Sequence, residues 1–364
     1  MPTRALVTHQ AQHLERFPDT WHRLGVVAAL VVVVAYPALA DARWMSVANL
    51  ALVSIVGSTA LMILTGFCGQ VSLGHAAFLA LGAYTAAVLG EQLHLPFWLG
   101  LPAGGLVAAF AGLLVGPFAL RLRGLYLALV TLGLVFLVNH VLLSAHDLTH
   151  GISGIAVPMH VGFGGADGES SLGAFSATTQ LGPIELDFSR KLYAVFCTVA
   201  LLTVLLAHNL RRSRLGRAMM AVRDSDLAAS ALGVNPARTK VLAFGISSFL
   251  AGVAGAMFAF QQQYITIEPP FDLNMSVQYI AMIVLGGIGT VFGAVAGALA
   301  FVFLTPLAQD VGRHVPFLSE LSSAQQSTVL FCLVVAAFLI WEPLGLFGIW
   351  LKIKRYFLTW PFSY

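Results

Sequence analysis

The chain has 364 residues, of which 58% are apolar, 11% aromatic and 10% charged, with a formal net charge of +3. A soluble domain carries about 25% charged residues, so a particle with a tenth of its chain charged could not cover its surface with polar groups. Disordered, fibrous and disulfide-framed classes are excluded by the apolar bias, the 35 glycines without a period and the mere 3 cysteines, which leaves a chain whose outer solvent is lipid.

A membrane helix needs about 20 mostly apolar residues. Such runs occur at roughly 24–40, 48–65, 71–90, 97–117, 124–143, 191–208, 239–262, 275–289, 291–307 and 327–343. The predicted fold is an all-α polytopic membrane protein of about ten transmembrane helices with broken-helix segments. A head, 1–23, carries Arg4, Arg16 and Arg23. The first run ends in Ala38-Leu39-Ala40, which looks like a signal-peptidase site, although the head before it is longer than the usual signal n-region. Cleavage there would remove residues 1–40 and leave the charge pattern intact.

Residues 66–87 read GFCGQVSLGHAAFLALGAYTAA. Gly66, Gly69 and Gly74 with Gln70, Ser72 and His75 form a polar, glycine-broken patch in apolar sequence. Unpaired backbone groups in lipid cost several kcal/mol each, so the patch belongs inside the protein or beside a water-filled cavity and is a candidate for lining a path. His75 reads either as a packed histidine or as a pathway residue. Glycines four apart at Gly100/Gly104, Gly112/Gly116 and Gly289/Gly293/Gly297 place small residues on one helix face, where backbones can approach.

Lys and Arg mark cytoplasmic loops. The stretch 144–189 contains Asp147, Asp167, Glu169, Glu185 and Asp187 and is predicted to face outside, as is 263–274 with Glu268 and Asp272. Segment 209–240, NLRRSRLGRAMMAVRDSDLAASALGVNPARTK, is rich in arginine and cytoplasmic. Within it Asp224 or Ser225 can cap a short Ala-rich helix, with Gly233 as its stop signal and Pro236 just beyond. A capped helix held on the basic side between two spans is a natural docking element. The tail, 346–364, carries Lys352, Lys354 and Arg355. Placing it inside requires an even number of crossings after 239, so 275–307, interrupted by Gly286, Gly287 and Gly289, is read as a tight hairpin rather than one long tilted span. Both termini are then cytoplasmic.

Ionisable side chains are nearly absent from the runs; His75 and His140 are the main candidates. Ion-coupled carriers usually mark their path with buried charge, so ion coupling is disfavoured. No lysine of the four follows a glycine, so there is no G-x-x-x-x-G-K-[ST] phosphate cradle. If ATP powers this protein, another polypeptide hydrolyses it. Basic residues without aromatic interleaving give no nucleic-acid face.

GQVSLGHAAFLALGAYTAA, GRAMMAVRDSDLAASALGVNPARTKVLAFGISSFLAGVAGAMFA and IVLGGIGTVFGAVAGA together resemble the branched-chain amino acid ABC-transporter permeases, in the family's order and spacing, over about residues 48–345. The long external segment and basic head are similar to the larger M-type subunit. The resemblance implies an H-type second permease, two cytoplasmic ATPase subunits that carry ATP and Mg, a periplasmic binding protein, a bacterial inner-membrane location and no cofactor or metal on this chain. It also implies coupling to the ATPase through Asp226, Ala228, Ala229 and Gly233, with Arg217 and Asn235 flanking them. The translocation path is expected along Gly69, Gln70, Ser72, Gly74 and His75, and along Gly286, Gly287 and Gly289. His150 stands where the family often has glycine in a T-G-G turn, so no role carries over there.

The cargo is chosen by another chain, so urea, short amides, other neutral amino acids and small aromatic acids remain open alternatives to branched-chain amino acids. Three further readings are weaker: an ion-coupled secondary carrier, an intramembrane serine protease built on Ser153 in Gly151-Ile152-Ser153-Gly154, and a metal site from His146, Asp147, His150 and His160.

Overall fold

The computed structural model describes residues 40–118, 124–160, 179–181, 184–312 and 345–359, with scattered positions at 33–38, 122 and 329–342. Helix dominates because the chain is apolar and must satisfy its backbone internally. Helix α1 (Ala42–Leu61) runs without a break into a π-helical turn, Met62–Phe67. There Gly69 takes φ +71° and the chain leaves the helix.

Helix α2 (His75–Glu91) is apolar all round and buried on nearly every face, as such a helix must be. It starts at His75, four residues after the apolar run begins at 71. Helices α3 (Phe97–Val115) and α4 (Leu125–Ser144) follow. On the external side a short helix α5 (His146–Thr149) leads to strand β1 (Ile155–Ala156), and Thr179–Leu181 and Ile184–Leu186 form a hairpin, β2–β3. Next come α6 (Phe188–Arg212), α7 (Arg214–Asp224), α8 (Asp226–Ala231) and α9 (Pro236–Gln262). Strand β4 (Tyr264–Ile265) pairs antiparallel with β1, Ile155 opposite Ile265. Helices α10 (Leu273–Gly286), α11 (Val291–Gly312) and α12 (Gly345–Thr359) complete the described chain.

The core is built on α9 and α2, with α3 packed against both and α1 packed against α9. Lipid removes the hydrophobic drive for helix association, so close backbone contact carries it. Gly82 lies against Gly252, Gly252 against Gly104, and Gly255 against Leu79. The outward faces of α3, α4 and α6 are apolar, with Phe110, Leu137 and Leu202 exposed, as contact with lipid or another subunit requires.

The acidic segment after α4 is more than a loop. Phe97 N donates to His160 O at 2.9 Å and Val157 N to Gln263 O at 2.8 Å, and Ile155, Val157 and Met159 are buried. This fold closes over one end of α2 and α9. Asn139, buried on α4, donates to Glu268 Oε1 (2.7 Å) and Phe271 O (2.9 Å), which ties α4 to the segment that opens α10.

Five helices among the described residues are long and apolar enough to cross a bilayer, and six if the bent pair α10 and α11 is counted as one. The ten runs reduce in this way for separate reasons. Runs 24–40 and 327–343 fall mostly outside the described residues, as does Leu39 of the Ala38-Leu39-Ala40 site. Helix α2 has 17 residues and α10 has 14. The directions of α10 and α11 differ by 119° across the Gly287–Thr290 break, so 275–307 is not one straight tilted span. The tail is no simple extension either: residues 345–359 form α12, and Gly345 (φ +67°) sits against Leu285 O and Gly287 N.

Candidate coupling site and helix breaks

The cytoplasmic loop folds as the capping chemistry dictates. Ser213 Oγ accepts from Gly216 N and starts α7. Ser225 Oγ accepts from Ala228 N and starts α8; of the two candidate caps, serine holds the position. Gly233, at φ +81°, ends α8. Its N–H donates to Ser230 O and Val234 N to Ala229 O, both at 3.0 Å, which is the paired closure of a glycine-terminated helix. Asn235 Oδ1 then accepts from Arg238 N at 3.1 Å, and Pro236 is the first residue of α9.

Helix α8 turns Ala229 inward at 1% exposure, while Leu227 and Leu232 stand 80% and 83% exposed. Ala228 is exposed beside them. Asp226 pairs with Lys240 Nζ on α9 at 2.8 Å, with both side chains largely buried, so α8 is strapped to a core helix. Arg217 does not reach α8. Its Nη1 donates to Arg212 O at 2.6 Å and closes the end of α6.

The break at 66–75 is packed and several of its backbone N–H groups are met, while the buried Gln70 Oε1 and His75 Nε2 have no hydrogen-bond partner. Leu73 N donates to Thr131 Oγ1 on α4 (3.0 Å), Gly74 N to Ser72 Oγ (3.2 Å) and Ala76 N to Ser276 Oγ on α10 (2.9 Å). Ser72, His75 and Gln70 are 1%, 2% and 5% exposed. The His75 ring meets Tyr279 edge-on, centroids 4.9 Å apart. A Cβ on Gly74 would fall 2.6 Å from Thr131 O. In the second break, Gly287 and Gly289 have φ +113° and +85°. Gly286 lies in the α10–α11 contact, where a Cβ would be 1.8 Å from Gly293 O.

The two breaks and the coupling loop, far apart in sequence, converge. Gly66 packs on Gly289, where a Cβ would come within 2.8 Å of the Gly289 Cα. Arg223, the penultimate residue of α7, donates from Nη1 to Gly66 O at 2.8 Å. Lys240 and Arg223 count only as loop charges in the sequence, because pairings over 14 and 157 residues leave no periodic trace. Cys68–Gln70 on one side and Arg223–Leu227 with Lys240 on the other bound a cleft of about 360 Å³.

Other candidates disperse. His150 turns to Glu91 (3.6 Å), His146 lies against Gly151, and His160 meets His94 edge-on. Among the described residues no group of three His, Cys, Asp or Glu side chains could hold a metal ion. The Ser153 carbonyl accepts from the Tyr264 hydroxyl, and His150, its neighbour in sequence, faces Glu91.

Residues 44–340 match the family described as branched-chain amino acid transport system / permease component. The chain belongs to this family. It is 34% identical to the high-affinity branched-chain amino acid transport system permease protein LivM of Escherichia coli K12, covering 89% of this chain and 74% of LivM. It is 27% identical to LivH of the same organism, over 80% and 92% of the two chains. The higher identity to LivM agrees with an M-type subunit. The autoinducer 2 import system permease protein LsrC of Enterobacter sp. strain 638 is 33% identical over 60% of this chain and 56% of LsrC. No solved structure matches. The protein is therefore a membrane-spanning transport subunit rather than an enzyme, which sets aside the protease reading.

Proposed function

We propose that this chain is the M-type permease of an ATP-driven importer and passes branched-chain amino acids delivered by a periplasmic binding protein. It works with an H-type permease and two cytoplasmic ATPases that hold ATP and Mg, in a bacterial inner membrane with both termini inside. The observation that carries this reading is α8: a helix closed at both ends, strapped to α9, presenting Leu227 and Leu232 at the end of the molecule that bears the arginines. An apolar knob on a rigid base fits a groove in a partner protein better than it fits water. Gly345 lies at the same end, against Gly287, which supports an inward tail.

A zwitterion is moved at a cost of tens of kcal/mol if it enters a low-dielectric medium as a bare ion. Few side-chain charges are available, so the helix breaks supply the dipoles: N-terminal amide groups for the carboxylate, C-terminal carbonyls for the ammonium. ATP-driven closure of the two ATPases shifts α8, and the spans around Gly69–His75 and Gly286–Gly289 switch access.

Two measurements test this. The chain co-expressed with its partners is expected to take up labelled leucine in vesicles, and Leu232→Glu to abolish that uptake by releasing the ATPases from the purified complex, with the permease pair intact. Concentrative uptake by this chain alone under an ion gradient would replace the reading with a secondary carrier. A cysteine at Ser72, buried at 1% exposure, is expected to resist small water-soluble thiol reagents at rest and react during turnover; protection in both states assigns the segment to packed core.

LsrC, named for autoinducer 2 import, supports a second reading for the cargo alone. This architecture serves more than one small polar solute, so urea, short amides or small aromatic acids are the alternatives. The ligand retained by the companion binding protein decides between them.

A further inference from the structure

An exposed arginine beside an exposed aspartate contributes little to stability, and Arg223 makes such a contact with Asp224 (3.1 Å). Its other contacts are of a different kind. As α1 ends, Gly69 N closes on Thr65 O and Gln70 N on Leu64 O, each at 3.2 Å, and Gly66 O is met by the guanidinium at 2.8 Å. Carbonyls at a helix C-terminus carry partial negative charge, and a planar cation with five donors suits them.

Two glycines make room for this side chain. A Cβ on Gly69 would lie 2.7 Å from Arg223 Cγ, and one on Gly289 would lie 3.3 Å from Arg223 Nη1. Gly66 and Gly289 touch each other behind it. The guanidinium thus sits where the end of α1 meets the α10–α11 break, and it belongs to α7, one residue (Ser225) from the docking helix α8.

We infer that Arg223 is the positioning residue through which movement of α8 reaches the two helix breaks. The Asp226–Lys240 pair fastens α8 to α9; Arg223, on the adjoining α7, is hydrogen-bonded to the turn that ends α1 and lies beside the α10–α11 break. A displacement of α8 by the ATPases then pulls directly on the segments whose backbones change direction inside the membrane. The inference rests on α8 being the ATPase dock.

The test uses the complete complex of permease pair, ATPases and binding protein in proteoliposomes. Arg223→Ala is expected to keep the ATPases at wild-type stoichiometry while labelled-leucine uptake per ATP hydrolysed falls about tenfold or more, the factor matching loss of a hydrogen bond from a charged group. Arg223→Lys, which supplies one donor without the fork, should fall between the two. Gly69→Ala, which pushes the arginine stem away, should reproduce the loss. Wild-type uptake per ATP in Arg223→Ala overturns the inference. So does loss of the ATPases from that variant, which would make Arg223 part of the dock. If Arg223→Ala does not fold, Arg223→Lys decides: a reduced ratio supports the role and an unchanged ratio ends it. Leu232→Glu runs in parallel. If it keeps ATPases and uptake, the docking reading fails, whatever Arg223 does.

Discussion

Replacing Gly255 with valine is expected to remove the folded permease from the membrane. A Cβ at 255 would stand 1.9 Å from the carbonyl oxygen of Leu79, in the second turn of α2. The neighbouring contacts are as tight: a Cβ on Gly82 would lie 2.0 Å from Gly252 O, and one on Gly252 would lie 2.4 Å from Gly104 O. The obstructing atoms are helix backbone, so no rotamer change relieves the clash. Helices α2 and α9 would have to separate, and with them the buried residues on both helices would lose contact. Overpacking that side chains can absorb costs about 1–3 kcal/mol. A clash with backbone lies at or above the top of that range, against a total folding margin of about 5–15 kcal/mol. Thermal unfolding of the detergent-purified protein and its level in membranes measure this. Gly133→Ala is the control, because nothing stands within 4 Å of that Cβ, and it should unfold like the wild type. A normal unfolding temperature for Gly255→Val would mean that α2 and α9 do not pack as described.

The same glycines show what the sequence makes legible. Spacing of four at Gly100/Gly104 points to a close helix contact, and Gly104 does lie against Gly82. The partner is invisible in the spacing, since a small residue says only that something comes near. Caps are the most legible feature. Ser225, Gly233, Asn235 and Pro236 each act on groups within five residues, so local chemistry fixes them before any tertiary contact forms.

What stays hidden is long-range. Gly66 and Gly69 can be read as a break, and Gly287 and Gly289 as another, yet their meeting under Arg223 needs the positions of α1, α7 and α10 at once. The patch at 70–75 reads as polar in apolar surroundings, which a wet path and a packed joint both explain. In this structure the N–H groups of Leu73 and Ala76 are met by Thr131 and Ser276, two hydroxyls that blend into apolar runs. The tail hides for the opposite reason. Lys352, Lys354 and Arg355 interrupt the hydropathy of 345–359 enough to suggest a loop, but a helix at a bilayer surface tolerates charge on one side. In this structure Phe347 and Trp350 pack on Phe292 of α11.

Replacing Gly233 with valine is expected to uncouple the importer while leaving the permease folded. The space is open, with nothing within 4 Å of a Cβ at 233, so the effect is one of backbone rather than of crowding. At φ +81° an L-residue is disfavoured by about 1–2 kcal/mol, and a branched side chain is the poorest choice there. The chain relieves this by leaving the left-handed conformation, which breaks the closure through Ser230 O and Ala229 O and re-aims Leu232, the most exposed apolar residue of the knob. Helix α8 has six residues and sits outside the α1–α2–α3–α9 core, so unfolding temperature and membrane level should change little. Uptake of labelled leucine and retention of the ATPases should both fall about tenfold or more, as expected when 1.4 kcal/mol or more of docking free energy is lost. Gly233→Asn separates conformation from composition. Asparagine visits the left-handed region readily, so this variant should keep most of the coupling that valine removes. Equal activity in the two variants, whether both normal or both lost, would detach coupling from the shape of this cap.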